Sequence, residues 1–197
     1  VARGSGGQRT GVFGGTFDPP HIGHLVTAMR VAEALDLDRV LLVVANEPWQ
    51  KLGSRSITPA PVRLEMVRAA VEGVDVLEAC DLEIRRGGHT YTVDTLAELR
   101  DAGPDDELVL ILGSDAAAGL DTWDRPDQLR QLCRLAVVER PGWPVEVPDG
   151  FRWDAVRVPQ LEVSSTEIRE RVARGRSIRF LVPDGAVALV EGHRLYR

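Results

Sequence analysis

Two histidines three residues apart, His21 and His24, are the first side chains here whose spacing suggests chemistry. They close the stretch Gly14-Gly15-Thr16-Phe17-Asp18-Pro19-Pro20-His21-Ile22-Gly23-His24. On a helix, an i, i+3 pair puts both imidazoles on one face, one turn apart. With the helix starting at that point, its N–H groups and the positive end of its dipole face the same way as the rings. Glycine-rich backbone, amide donors and imidazoles together make a cationic pocket of the kind that holds a phosphate. The pattern predicts a site for the phosphates of a nucleoside triphosphate. Zinc is the rival use, but a catalytic zinc needs three protein ligands. No cysteine, third histidine or carboxylate stands at a suitable local spacing, and Asp18 reads as a helix cap instead.

A second anion site is predicted at Ser164-Ser165-Thr166-Glu167-Ile168-Arg169. Ser164 and Glu167 have the spacing of a capping box, so three hydroxyls sit beside free helix amides, with Arg169 about a turn later. Alone, this reads first as an ordinary capped helix with a surface arginine; beside the histidine stretch the phosphate-binding reading overtakes it. Lys51, near Trp49 and Gln50, is either a further cationic donor or an ordinary loop residue. Trp123 either covers the core or stacks on a flat ring. Asp115 either accepts from a ribose or caps the next helix. Such groups suit nucleotidyl transfer, in which an attacking phosphate needs no general base. Catalysis there reduces to aligning two anions and neutralising their repulsion.

These residues need a scaffold that gathers them. Gly11 to Gly14 reads as a first strand running into the glycines. Ile22 to Leu35 reads as a helix with Ile22, Leu25, Met29, Ala32 and Leu35 on its apolar side. Val40 to Ala45, Leu108 to Leu112 and Leu135 to Val138 are continuous apolar runs, as in strands buried on both faces. Val74 to Leu77 is predicted as another strand, and Val156 to Val158 as a short one. Helices are predicted at Pro61 to Val71, Thr92 to Arg100, Asp127 to Leu132, Ser164 to about Arg174, and Asp184 to Glu191. Arg85-Arg86-Gly87-Gly88 reads as a turn. Strands alternating with helices imply an α/β, Rossmann-like parallel sheet wrapped by helices on both faces, with a small C-terminal helical part. Ligands of such sheets sit at the carboxyl ends of the strands. Gly14-Gly15-Thr16, Asn46-Glu47 and Gly113-Ser114-Asp115 all follow strands and are expected to share one crevice.

Composition narrows the classes. A chain of 197 residues with 44% hydrophobic content suits one domain, read as residues 11–197 behind a disordered polar tail, residues 1–10. Net charge is −6 with the two signs interleaved, which argues against a nucleic-acid face. No run approaches the ~20 apolar residues of a membrane span. The opening residues lack the apolar core of a secretion signal, so a cytoplasmic protein is expected. Cys80 and Cys133 are expected as buried thiols. A homo-oligomer is compatible with the composition, which does not determine the assembly.

In combination, several segments resemble the nucleotidyltransferase superfamily that shares its His-x-Gly-His motif with class I aminoacyl-tRNA synthetases. Within it, the chain is similar to the bacterial nicotinate-nucleotide adenylyltransferases. The resemblance rests on Gly14 to His24, on Thr90-Tyr91-Thr92-Val93-Asp94-Thr95-Leu96, on Gly113-Ser114-Asp115, and on Arg140-Pro141-Gly142. It continues through Ser164 to Arg169 and Leu195-Tyr196, and so covers nearly the whole chain from Gly11. It implies that ATP and nicotinate mononucleotide give deamido-NAD and pyrophosphate, a step of NAD biosynthesis, with magnesium. His21, His24, Lys51 and Arg169 would be catalytic. The backbone of Gly14, Gly15, Thr16 and Phe17 would lie near the α-phosphate. Ser164, Ser165 and Thr166 would hold the outer phosphates, and Gly113, Ser114 and Asp115 would line the ribose side. Tyr91 and Thr92 would meet the pyridine carboxylate, Trp123 would stack on the pyridine, and Arg140 would serve the mononucleotide. Magnesium is expected to ride on ATP phosphates and water, without a carboxylate cluster of the protein.

The chain departs from the family pattern where Gln50 replaces a histidine before Lys51, and where Ser114 replaces an alanine. Four rival classes differ from this pattern. Phosphopantetheine adenylyltransferase and cytidylyltransferases share the histidine motif but lack the Thr90 to Leu96 segment followed by Trp123. A synthetase fragment would carry a Lys-Met-Ser-Lys-Ser run. A silent nucleotide sensor would not require both histidines, and a dinucleotide oxidoreductase would show Gly-x-Gly-x-x-Gly after its first strand.

Overall fold

A computed structural model of the chain describes residues 7–47, 56–139 and 145–197. In order, the elements are β1 (Arg9–Gly15), α1 (Ile22–Leu35), β2 (Arg39–Val44), α2 (Ala60–Val71), β3 (Leu77–Cys80), α3 (Leu82–Arg86) and α4 (Thr92–Ala102). There follow β4 (Glu107–Gly113), α5 (Ser114–Ala117), α6 (Pro126–Leu132), β5 (Arg134–Val138), β6 (Trp153–Val156), α7 (Ser165–Ala173) and α8 (Asp184–Gly192). The strands form one sheet in the order β3-β2-β1-β4-β5-β6, and β1–β4, β4–β5 and β5–β6 pair in parallel. This is the strand order of the Rossmann-type α/β fold, whose direction of growth reverses between β1 and β4. The runs read as doubly buried strands are so: five consecutive residues are buried in β2 and in β4, and four in β5.

Several boundaries differ from expectation for local reasons. The first strand begins at Arg9 rather than Gly11, and Thr10 is fully buried, so the polar segment stops short of residue 10. The third strand starts at Leu77, not Val74. The backbone at residues 74–77 is spent on turns, Val74 N–H bonding Val71 O and Leu77 N–H bonding Val74 O. Leu82–Arg86 is a five-residue helix, too short to show a period; the turn lies after it at Gly87 and Gly88, both at positive φ. The last strand is Trp153–Val156, because its pairing with β5 runs out when Val138 meets Val156. On α1 the fully buried positions are Ala28, Val31 and Ala32, while Met29 and Leu35 are half-buried.

The chain divides into two compact units. The first comprises residues 1–13, 27–41 and 91–160 and contains β4, β5, β6, α4, α5 and α6. Its β4 and β5 core is built of Leu108 to Leu112 and Leu135 to Val138. The second comprises residues 14–26, 42–90 and 161–197. There α7 and α8 pack against α2 around Met66, Ala70, Ile168, Ile178, Val182, Ala186, Val187 and Val190, with Leu25 and Val163 at the margin. This is the small C-terminal helical part, and it positions the histidine stretch. Among the described residues, no helix is long and apolar enough to cross a membrane. Both cysteines are free thiols. Cys133 is buried and Cys80 half-buried, and burial pushes the Cys133 thiol up to about 12.

Candidate active site

The helix starts where its sequence signals say it should. Pro19 and Pro20 have no amide hydrogen to give a continuing strand, and α1 opens at Ile22. His21 is therefore the residue just before the helix, and His24 lies in its first turn. Their rings stack, with centroids 3.7 Å apart and planes inclined by 27°. Phe17 meets the His24 ring edge-on at 5.0 Å. The backbone N–H of His21 donates to Nδ1 of His24 at 3.1 Å. This is the reach-back half of a capping box, with an imidazole in place of the usual Glu or Gln. It also decides the tautomer. An Nδ1 that accepts carries no proton, so neutral His24 holds its proton on Nε2 and donates from there.

Gly23 explains the middle of the motif. A Cβ on it would lie 3.0 Å from Nδ1 and 3.1 Å from Cε1 of His21, and 3.1 Å from Val163. The His21 ring occupies the space a side chain would take, and His21 is itself only 8% exposed. Gly15 serves the same purpose before the helix: the Phe17 ring covers it, 2.8 Å from where its Cβ would be. Beside Gly14 nothing lies within 4 Å of that position, so this backbone is open to approach. The first N–H of α1 is already used, Ile22 donating to Leu181 O at 2.9 Å. The rings consequently carry more of an anion site at this helix end than the dipole reading assigned them.

The second predicted anion site docks onto the first. Ser164 caps α7, its Oγ accepting the Glu167 N–H at 3.1 Å. The Ser165 hydroxyl donates to Pro19 O at 2.8 Å, and Arg169 donates to Asp18 O at 2.8 Å and to the Thr166 hydroxyl at 3.0 Å. Both α7 side chains thus grip the backbone just ahead of His21. The hydroxyls are consequently not equivalent. The Ser165 proton is spent on Pro19, whereas the Ser164 oxygen accepts in the cap of α7.

The Asp18 carboxylate is tied to the far end of the chain. Asp18 is 1% exposed, and Oδ1 accepts from the Tyr196 hydroxyl at 2.7 Å. The Thr58 hydroxyl lies 3.5 Å from the same phenol oxygen. Burial raises the Tyr196 phenol above its ordinary range, and the hydrogen bond to Asp18 adds to the effect. Sequence reasoning marked Tyr196 as part of a motif without a task; its task is to hold the buried carboxylate behind the histidines. It missed Arg63 entirely. This arginine is 1% exposed and donates to three backbone carbonyls, those of Thr58, Thr16 and Asn46. A signal was present: Arg63 sits on the buried face of α2, among Ala60, Leu64, Val67, Ala70 and Val71, where a charge must find partners.

In the first unit, Gly113 ends β4 and is the N-cap residue of α5, Ser114 is fully buried, and Asp115 is exposed in the first turn. Asp115 is thus inside the helix rather than its cap. Tyr91 is the N-cap residue of α4, and Thr92 opens that helix. Trp123, half-buried, follows a 3-10 turn at Leu120–Thr122. Close by in sequence, Arg125 pairs with Asp94 of α4 and with Asp124, which ties the Trp123 segment to the start of α4. Lys51, with Trp49 and Gln50, and Arg140 lie outside the described residues. Among the described residues, no group of three or more His, Cys, Asp or Glu is placed to hold a metal ion.

Strand order and the stacked His-x-Gly-His pair at a strand-to-helix junction define a class, the nucleotidyltransferases of Rossmann-type fold. Residues 12–171 match the family described as Cytidylyltransferase-like. A probable nicotinate-nucleotide adenylyltransferase of Exiguobacterium sibiricum is 44% identical over 189 residues, covering 96% of this chain and 99% of its own. One from Thermus thermophilus is 43% identical over 196 residues, covering 96% and 100%. Among solved structures, a Plasmodium falciparum nicotinic acid mononucleotide adenylyltransferase complexed with APC superposes with a TM-score of 0.78. It is 18% identical and covers 96% of this chain and 97% of that one, a likeness of fold. The chain belongs to the nicotinate-nucleotide adenylyltransferase family within the cytidylyltransferase-like class.

Proposed function

We propose that this chain transfers the adenylyl group of ATP to nicotinate mononucleotide, forming deamido-NAD and releasing pyrophosphate, a step of NAD biosynthesis. A phosphate oxygen of the mononucleotide attacks the α-phosphorus of ATP. The bond from that phosphorus to the bridging oxygen breaks, and pyrophosphate leaves with the electron pair. No proton has to be removed from the nucleophile, so the protein's work is alignment and charge neutralisation. The observation that carries this reading is the stacked His21–His24 pair, with His24 held as an Nε2–H donor at the start of α1. The names of the relatives supply the mononucleotide.

In this reading His24 donates to the phosphate at which charge develops, and His21, packed against it, fixes its plane. The open backbone at Gly14 and the amides of Gly15 to Phe17 approach the α-phosphate. Ser164 and the amides of Ser165 and Thr166 hold the outer phosphates, while Arg169 supplies charge and ties that helix to Asp18. Gly113, Ser114 and Asp115 serve the ribose, and Tyr91, Thr92 and Trp123 the pyridine; Lys51 and Arg140 complete the donor set. Magnesium carried by the ATP phosphates would shield their charge, and the enzyme works in the cytoplasm. The test is incubation with Mg-ATP and either nicotinate or nicotinamide mononucleotide, following pyrophosphate. Turnover with the acid is expected. No turnover with either mononucleotide would sink the activity, and a strong preference for the amide would sink the specificity.

A further inference from the structure

Arg63 is an uncommon use of a buried cation. Its three nitrogens each donate to a backbone carbonyl on a separate stretch: Nε to Thr58 O at 2.7 Å, one terminal nitrogen to Thr16 O at 2.8 Å, and the other to Asn46 O at 3.0 Å. Thr16 follows β1 and belongs to the glycine-rich stretch. Asn46 follows β2, and Thr58 leads into α2. A planar fork with fixed donor directions can serve three such acceptors together; a lysine ammonium, a point charge on a flexible stem, cannot match that geometry.

The bond to Thr16 has a consequence one atom further along. In a trans peptide the C=O of one residue and the N–H of the next lie in one plane and point in opposite directions. Holding the Thr16 carbonyl toward Arg63 therefore turns the Phe17 N–H away from Arg63. The bond to Asn46 does the same for the Glu47 N–H. A guanidinium on the carbonyl also polarises the peptide and strengthens the N–H as a donor. The Phe17 ring, which covers Gly15 and meets His24 edge-on, hangs from this same peptide.

We propose that Arg63 is a positioning residue for adenylyl transfer. It locks the Thr16–Phe17 peptide plane, so that the Phe17 amide is aimed for the α-phosphate and the Phe17 ring is set against His24. This rests on the activity proposed above, and it adds a residue that touches neither substrate. A side chain needed only for folding would, when changed, lower stability and leave turnover of the folded fraction intact. One that sets a donor's direction lowers kcat in the folded enzyme, because a misplacement of about 1 Å near the reacting atoms is worth about 100-fold.

The experiment compares wild type, Arg63→Lys and Arg63→Ala for thermal midpoint and for kcat and KM with Mg-ATP and nicotinate mononucleotide, assayed well below each midpoint. Arg63→Lys is expected to stay folded with kcat about 10- to 100-fold lower. Arg63→Ala is expected to regain part of its kcat on addition of guanidinium ion at millimolar concentration, and none with urea at the same concentration. A folded Arg63→Lys enzyme with wild-type kcat and KM would overturn the proposal. So would an Arg63→Ala enzyme of lowered midpoint but unchanged turnover, which would make the residue purely structural. A wild-type chain without turnover is a different outcome: it overturns the activity, and the positioning role falls with it.

Discussion

The His24 ring does two jobs that can be separated by choice of substitution. Its Nδ1 accepts the His21 N–H at 3.1 Å, a cap interaction worth about 1 kcal/mol. Its faces and edges pack on His21 at 3.7 Å and Phe17 at 5.0 Å, worth about 0.5–1.5 kcal/mol together. His24→Ala should therefore cost about 1.5–2.5 kcal/mol of stability. At about 2–4 °C per kcal/mol for a chain of this size, that is a fall of roughly 3–10 °C in the thermal midpoint. The Nε2–H donor is a separate matter. Losing one donor to developing charge should lower kcat by about 10²–10³, or about 2.7–4 kcal/mol of activation free energy. His24→Glu splits the two. Glutamate in the first turn of a helix is the usual partner of a capping box, so its carboxylate can accept the His21 N–H, and the midpoint should recover by several degrees. An ionised carboxylate has no proton to donate, so kcat should be no higher than that of the alanine variant. Thermal melts and pyrophosphate release at saturating Mg-ATP and nicotinate mononucleotide measure both quantities. A glutamate variant with near-wild-type kcat would refute the donor assignment. An alanine variant of unchanged midpoint would refute the cap.

Three further outcomes follow from the same geometry. Gly23→Ala places a methyl group 3.0 Å from the His21 ring, so kcat should fall at least tenfold while far-ultraviolet circular dichroism is unchanged; wild-type kinetics would show that the ring stack is irrelevant to rate. Tyr196→Phe removes a donor to the buried Asp18 carboxylate and should cost about 1.5–3 kcal/mol near neutral pH by urea unfolding. Because the folded state holds the Tyr196 phenol above its ordinary pKa of 10.0, the unfolded chain releases that proton first, so this group's contribution falls as pH rises through 10. The stability gap between wild type and variant should accordingly narrow from pH 8 to pH 10.5, and a gap that widened would reverse the sign. Ser164→Ala should weaken ATP binding more than it lowers kcat, and should cost about 1 kcal/mol as a lost cap. Unchanged ATP affinity by calorimetry would return Ser164 to a purely structural role.

The sequence by itself determined what is local. Doubly buried strands appear as unbroken apolar runs, and β2, β4 and β5 fell within a residue of where those runs predicted them. The cap of α7 was readable because Ser164 and Glu167 are three residues apart, and the start of α1 at Ile22 because two prolines end the segment before it. Phosphate chemistry was readable for the same reason: glycines, imidazoles and hydroxyls at helix starts carry it within a dozen residues. What tertiary structure alone decided is how those pieces are held. The hydrogen bond from Tyr196 to Asp18 spans 178 residues, from Ser165 to Pro19 146, and from Arg63 to Thr16 47. Two of the three end on backbone carbonyls, which every residue possesses, so no side-chain pattern at the acceptor announces them. The stacking of His21 on His24 is of the same kind. Spacing put both rings near one helix end, but their contact depends on the missing Cβ of Gly23 and on the Phe17 ring turned against them. A motif lists the donors; only packing gives each one a direction.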